Sequence, residues 1–303
     1  MRTVFSFVLV YLLCLVQARA QQPDLASVLM RSTCLITDAE AKGPPTTGGT
    51  GFIVARPAKF NANRNLRVLV TTNSVLESIK GDTATLHTRR EKNTTYELAP
   101  IPIPIRSEGQ ELWTRYAGHP AIAMLPFELP ARTDEGGLVT DHFLTDEILK
   151  TSEIQPGETF YSLGFPQFTS ANAFEFPLLR TGALASYPVL RAEGGATCML
   201  DLEVLPGSVG SPVYLRKENP VYGGTVHPGT LQGVLGMVVE PAVSTGGAPL
   251  RMAVVVHASI LKEALDSLPE PKPQTRTIRQ LKELKEMRDK QKEAAAQADN
   301  AQK

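Results

Sequence analysis

Between residues 33 and 256 the apolar positions come in short runs rich in Val, Ile, Leu, Thr and aromatic residues, broken by Gly, Pro, Asn and Asp. Runs at 51–54, 67–71, 83–87, 122–125, 159–163, 179–184, 197–204, 212–215, 231–239 and 251–256 are predicted strands. Many short strands with little helical periodicity between them predict an all-β sandwich or barrel rather than alternating β/α units. Helical spacing appears at the two ends. Asp24 is placed to cap a short first helix, and Ile260, Leu261, Ala264, Leu265 and Leu268 share one face of a helix over 258–268.

The flanks read differently. Arg2, an apolar run from Val4 to Val16 and then Ala18-Arg19-Ala20 form the basic, apolar and small-residue succession of a secretory signal peptide over 1–20. That run is short for a bilayer span, so no stable membrane span is expected after cleavage, and the mature protein is expected to be secreted or periplasmic. Leu268-Pro269-Glu270-Pro271-Lys272-Pro273 cannot continue a helix, and 269–274 is read as a stiff linker. Residues 275–303 turn to Lys, Arg, Glu, Gln and Ala, with Ile278, Leu281, Leu284 and Met287 on a narrow drifting stripe. This predicts a charged helical tail, either solvated or used in self-association or partner contact.

Composition narrows the function classes. Lys plus Arg and Asp plus Glu each number 31, for a formal charge of zero, and no basic face interleaves with aromatics. Nucleic acid is therefore a poor partner, and a peptide or an exported protein a better one. Cys14 belongs to the leader, which leaves Cys34 and Cys198 in apolar runs, either bridged or buried as separate thiols. No His or Cys pair has metal-ligand spacing, so neither a metal nor a cofactor is expected.

Four segments, in order, resemble the trypsin-like (chymotrypsin-fold) serine peptidases, nearest the periplasmic high-temperature-requirement proteases. Thr47-Gly48-Gly49-Thr50-Gly51-Phe52-Ile53-Val54 is similar to the family's Gly-rich entry into a first-barrel strand. Leu69-Val70-Thr71-Thr72-Asn73-Ser74-Val75 resembles the strand end that carries the family's histidine, with Ser74 in its place. His119-Pro120-Ala121-Ile122-Ala123-Met124-Leu125 resembles the strand of the orienting aspartate, with Ala121 there. Leu205-Pro206-Gly207-Ser208-Val209-Gly210-Ser211-Pro212-Val213 resembles the nucleophile turn, with Val209 where the serine belongs. Leu163-Gly164-Phe165-Pro166 and Thr181-Gly182-Ala183-Leu184 are similar to the opening of the family's second barrel.

The resemblance implies two antiparallel six-stranded β-barrels, over 21–145 and 146–268, the second closed by the C-terminal helix. It also implies a degenerate triad. Peptide hydrolysis in this family needs a hydroxyl nucleophile, an imidazole base and a carboxylate that fixes the imidazole. Ser74, Ala121 and Val209 supply none of these roles. The expected protein is a non-catalytic serine-peptidase homologue that binds a peptide or protein; the alternative is a divergent endopeptidase using displaced residues such as Ser208, Ser211 or His119. His87, His142, His227 and His257 match no base position and read as ordinary strand or loop residues. The backbone amides of Gly207 and Val209 either keep the family's oxyanion-hole geometry or merely shape a turn.

Overall fold

The computed structural model of the protein describes residues 24–58, 61–130, 133–134, 136–191 and 195–269, without the side chains of 57–58 and 61–66. The signal-peptide reading, the linker beyond Pro269 and the charged tail lie outside the described residues. No helix among them is long and apolar enough to cross a membrane.

The chain enters through α1 (Leu25–Ser32), whose Leu25, Val28 and Leu29 are buried. Asp24 precedes the helix as expected, yet its carboxylate makes no cap bond and instead lies 3.4 Å from Arg216. The first half then supplies β1 (Thr33–Asp38), β2 (Gly49–Ala58), β3 (Asn61–Thr72), β4 (Thr83–His87), β5 (Arg89–Lys92), β6 (Thr95–Leu98), β7 (Ile101–Pro104), β8 (Arg106–Ser107), β9 (Gln110–Glu111), β10 (Thr114–Arg115), β11 (Ile122–Phe127) and β12 (Thr133–Asp134). Seven of these pair in the order β10-β11-β3-β2-β1-β4-β7. Here the architecture departs in detail from a six-stranded ring: between β7 and β10 the chain turns back on itself as the β8–β9 hairpin, and the two edge strands do not meet.

The second half is a closed antiparallel barrel of six strands. It comprises β13 (Thr159–Gly164), β14 (Leu178–Leu184), β15 (Thr197–Asp201), β16 (Pro212–Glu218), β19 (Thr230–Val243) and β20 (Pro249–His257), in the order β13-β14-β15-β20-β19-β16. The small hairpin of β17 (Val221–Tyr222) and β18 (Thr225–Val226) stands apart. Beyond the terminal helices, the sequence pattern missed two short ones, α2 (Asn73–Ser78) and α3 (Asp146–Thr151); Thr72 and Thr145 cap them through bonds to the Val75 and Ile148 amides. The C-terminal helix α4 (Ala258–Ser267) follows β20 directly. The all-β class is as expected, and the arrangement is consistent with a trypsin-like double barrel.

Three apolar cores follow from the alternation. One fills the first sheet (Ile36, Ile53, Leu69, Leu86), one the barrel (Phe160, Leu200, Val213, Val255), and the third joins them through Phe52, Val70, Leu163, Met237 and the inner faces of α1 and α4. Buried Arg56, from β2, donates to the Leu265 and Leu268 carbonyls at 2.6 and 3.2 Å, so a first-sheet side chain closes the C-terminal end of α4.

Both cysteines among the described residues are free, Cys34 in the first-sheet core and Cys198 in the barrel core. Burial pushes each thiol up to about 12. Neither thiol is expected to react with Ellman's reagent at pH 8 until denaturant is added, since the thiolate is the attacking species. Colour release from the native protein would show that one core opens.

Candidate functional site

Ser74, Ala121 and Val209 sit on three separate segments, the first two tied to each other through Asn73 and the third tied to β2 through Thr50. Ser74 lies in the first turn of α2, exposed, with its hydroxyl 2.9 Å from that of Thr72. Its neighbour Asn73 ties this helix to the turn at Ala121, just ahead of β11. The Asn73 N–H donates to the Ala121 carbonyl at 2.8 Å, its side-chain amide donates to the Pro120 carbonyl, and its Oδ1 accepts from Trp113 Nε1 at 3.0 Å.

Val209 occupies a double turn leading into β16. Ser208 N–H donates to Leu205 O at 2.9 Å, and Ser211 N–H to Ser208 O at 3.2 Å. Thr50 on β2 fixes this turn. Its N–H donates to Val209 O at 3.0 Å, its hydroxyl donates to Gly207 O at 2.6 Å, and the same hydroxyl accepts from the Phe165 N–H at 3.2 Å. A Cβ on Gly49 would lie 2.6 Å from the Val75 side chain and 3.1 Å from Val209 O, so only glycine lets α2 and the turn approach this closely. Thr50 and Asn73 were not singled out in the sequence, because a threonine and an asparagine near strand ends carry no distinguishing signal until their distant partners are known.

The chemistry available at the three positions is slight. Ala121 presents a methyl group, and Val209 packs its side chain against the first-sheet core. None of the five histidines bonds to Ser74, Ser208 or Ser211. His119 Nδ1 accepts from the Ala121 N–H at 3.3 Å, and burial lowers its basicity. His142 accepts from Val139 N–H, and His227 stacks on Tyr222 with ring centroids 3.6 Å apart. His257 is 2% exposed at the start of α4, with its Nε2 unpartnered among the described residues and its pKa lowered by desolvation. His87 is the exception to the ordinary reading: it bridges Thr37 and Glu175 away from the turn.

The backbone of the turn is more distinctive. Among the described residues the Gly207 and Val209 N–H groups donate to nothing, whereas the Ser208 N–H between them is engaged. Gly207 and Gly210 both hold left-handed φ, +84° and +89°. Behind the turn the buried Ser208 and Ser211 hydroxyls, also without partners among the described residues, line a cavity of about 10 Å³ with Ser162, Gly164, Arg180 and Glu203. That is the space of one water molecule. A larger groove of about 410 Å³ lies elsewhere, between α1 and the 171–177 segment, and none of the sequence-predicted site residues lines it. Beside the turn, β19 from Glu240 to Val243 pairs with β20 on one side, and its strand partner β16 on the other side stops at Met237. No group of three or more His, Cys, Asp or Glu among the described residues is placed to share a metal ion.

No protein-family model matches the sequence, and no curated protein matches it. Among solved structures the chain is similar to a human heparin binding protein, with a TM-score of 0.47, 11% identity, and 82% of this chain and 96% of that one covered. It is also similar to the Drosophila Grass clip serine protease of the Toll pathway, with a TM-score of 0.48, 12% identity, and 83% and 72% of the two chains covered.

Proposed function

We propose that this chain is an exported, non-catalytic recognition protein on a trypsin-like scaffold, binding an extended peptide or an exported protein at the turn around Val209. The observation that carries the reading is the pairing of an inert side-chain set with unengaged main-chain donors. Val209 has no nucleophilic atom, Ala121 cannot orient a base, and the Ser74 hydroxyl meets only another hydroxyl. The Gly207 and Val209 amides keep their hydrogens free for an oxygen of a ligand. Donors of this kind bind a peptide carbonyl or a terminal carboxylate without cutting anything. The one-sided stretch of β19 offers main-chain groups to which an extended segment adds as a further strand.

Loss of a whole triad in a comparable protease costs on the order of a million-fold in turnover, and loss of the nucleophile or the base alone costs nearly as much. The parent protein is therefore expected to stay unlabelled by a serine-directed fluorophosphonate. Val209→Ser alone should add a hydroxyl with no base and remain unlabelled. Ser74→His, Ala121→Asp and Val209→Ser together form the smallest set that restores all three groups. Stoichiometric labelling of the parent at Ser208 or Ser211, abolished by denaturation, would replace this reading with that of a divergent endopeptidase.

A further inference from the structure

One cluster of nucleophilic and titratable side chains away from the turn is joined end to end. Thr37 Oγ1 lies 2.8 Å from His87 Nε2, and His87 Nδ1 lies 2.7 Å from a Glu175 carboxylate oxygen. Thr37 and His87 are diagonal neighbours on β1 and β4, where Leu35 faces His87 and Thr37 faces Thr85. Glu175 arrives from the other half of the chain, on the segment between β13 and β14. Hydroxyl, imidazole and carboxylate in this order are the parts of an activated nucleophile. Thr37, however, is 7% exposed on a strand paired on both sides, which leaves no open face for a substrate to reach its hydroxyl. The cluster is therefore a joint between the first sheet and the segment that carries Glu175.

That segment is bonded within itself, and its other end touches the turn. Ala171 N–H bonds Phe176 O at 2.8 Å, Glu175 N–H bonds Asn172 O at 3.0 Å, and Phe174 N–H bonds Asn172 Oδ1 at 2.9 Å. Phe176 meets Tyr96 edge-on with centroids 5.0 Å apart and lies 4.4 Å from the Arg89 guanidinium. Upstream, Gln167 N–H donates to Pro206 O at 2.6 Å, and a Cβ on Gly207 would stand 2.3 Å from Phe165 O. A trans peptide plane points its C=O and N–H in opposite directions. The bond to Pro206 O thus fixes the direction of the Gly207 N–H.

We propose that Thr37, His87 and Glu175 form a clasp that positions the Gly207 amide by fastening the 165–177 segment to the first sheet. Its functional consequence rests on the reading of that amide as a ligand donor; the mechanical coupling does not. Glu175 faces His87 from β4 and Arg89 from β5, with Tyr96 of β6 and the Asp134–Arg31 pair beyond Arg89. The His87 bond, opposed by burial and aided by Arg89, holds the Glu175 carboxyl below the usual carboxylate range. A depressed carboxylate stabilises the fold above its unfolded pKa, and that contribution is lost as pH falls through the folded value. Thr37 donates to a neutral imidazole and accepts from an imidazolium, so protonation of the ring alone leaves the chain of bonds intact.

The test uses the full chain, labelled for amide NMR. In Glu175→Ala the Gln167 amide should exchange about tenfold faster, and the Gly207 resonance should move. In the parent, the Gly207 resonance should titrate in acid with Glu175. Glu175→Gln, which can still bond the ring, should recover most of the protection while losing that inflection. Gln167 exchange unchanged in Glu175→Ala, or the same Gly207 inflection in Glu175→Gln, overturns the clasp. Peptide capture is scored separately on the parent: no binding with the amides still coupled to Glu175 rejects the recognition reading and leaves the clasp standing.

Discussion

Gly210→Ala is expected to destabilise the protein by about 4 kcal/mol, combining a left-handed backbone penalty of about 1–2 kcal/mol with overpacking of about 1–3 kcal/mol. Gly210 has φ +89°, and an added Cβ would lie 1.9 Å from Thr50 O and 2.8 Å from Thr71 Oγ1. Neither neighbour can retreat easily. Thr50 O already accepts the Thr71 hydroxyl at 2.7 Å, and Thr50 N–H holds Val209 O. On the other side the Gly210 N–H donates to Val238 O at 2.8 Å, which anchors the turn to β19. In a domain of this size the loss should lower the melting temperature by roughly 10 °C. Gly223→Ala serves as the comparison, because Gly223 also has a positive φ, +57°, but nothing within 4 Å of an added Cβ. Equal calorimetric shifts for the two variants would show that the approach of Thr50 does not matter.

The second large effect is expected at Arg89, which is 1% exposed. Its guanidinium donates to the carbonyls of Met30 at 2.8 Å, Thr33 at 2.9 Å and His87 at 3.3 Å, and its cationic face covers Phe176. Burial lowers its pKa, and among the described residues no carboxylate bonds it directly. Arg89→Met fills most of the volume but leaves buried acceptors where α1 meets β1, at a cost of about 3–5 kcal/mol. Arg89→Lys should recover less than half, since an ammonium gathers its three donors on one nitrogen, whereas the guanidinium reaches Met30 from one nitrogen and Thr33 and His87 from another. Urea midpoints of the three proteins decide it. Parity of Arg89→Lys with the parent would mean that charge alone is at stake.

What the sequence disclosed and what it hid differ by range. All but one of the predicted strands fall inside observed ones, because they are short Val, Ile, Leu and Thr runs bounded by turn residues, several of them buried on both faces. The exception, 197–204, overran: its strand ends at Asp201. The β5–β6 hairpin went unseen, since Arg89-Arg90-Glu91-Lys92 has no apolar rhythm and turns at Asn93, whose φ is +57°. The helix that carries Ser74 was missed for a related reason: six residues are too few for a 3.6-residue period to register. The positions of Ser74, Ala121 and Val209 were named from ordered motifs, while the partners that draw their elements together were not. Thr50 reaches Gly207 across 157 residues and His87 reaches Glu175 across 88, and no local pattern encodes such contacts.

The two cysteines among the described residues, each shut inside a different core, bear on how the halves of the fold are held together. Among the described residues no covalent cross-link ties sheet to barrel; the junction includes the shared apolar core under α1 and α4, the Arg56 bonds to the end of α4, the Thr50 bonds to the 207–209 turn and to Phe165, and the His87–Glu175 pair. Among the described residues there is therefore no disulfide for a thiol reductant such as glutathione to break.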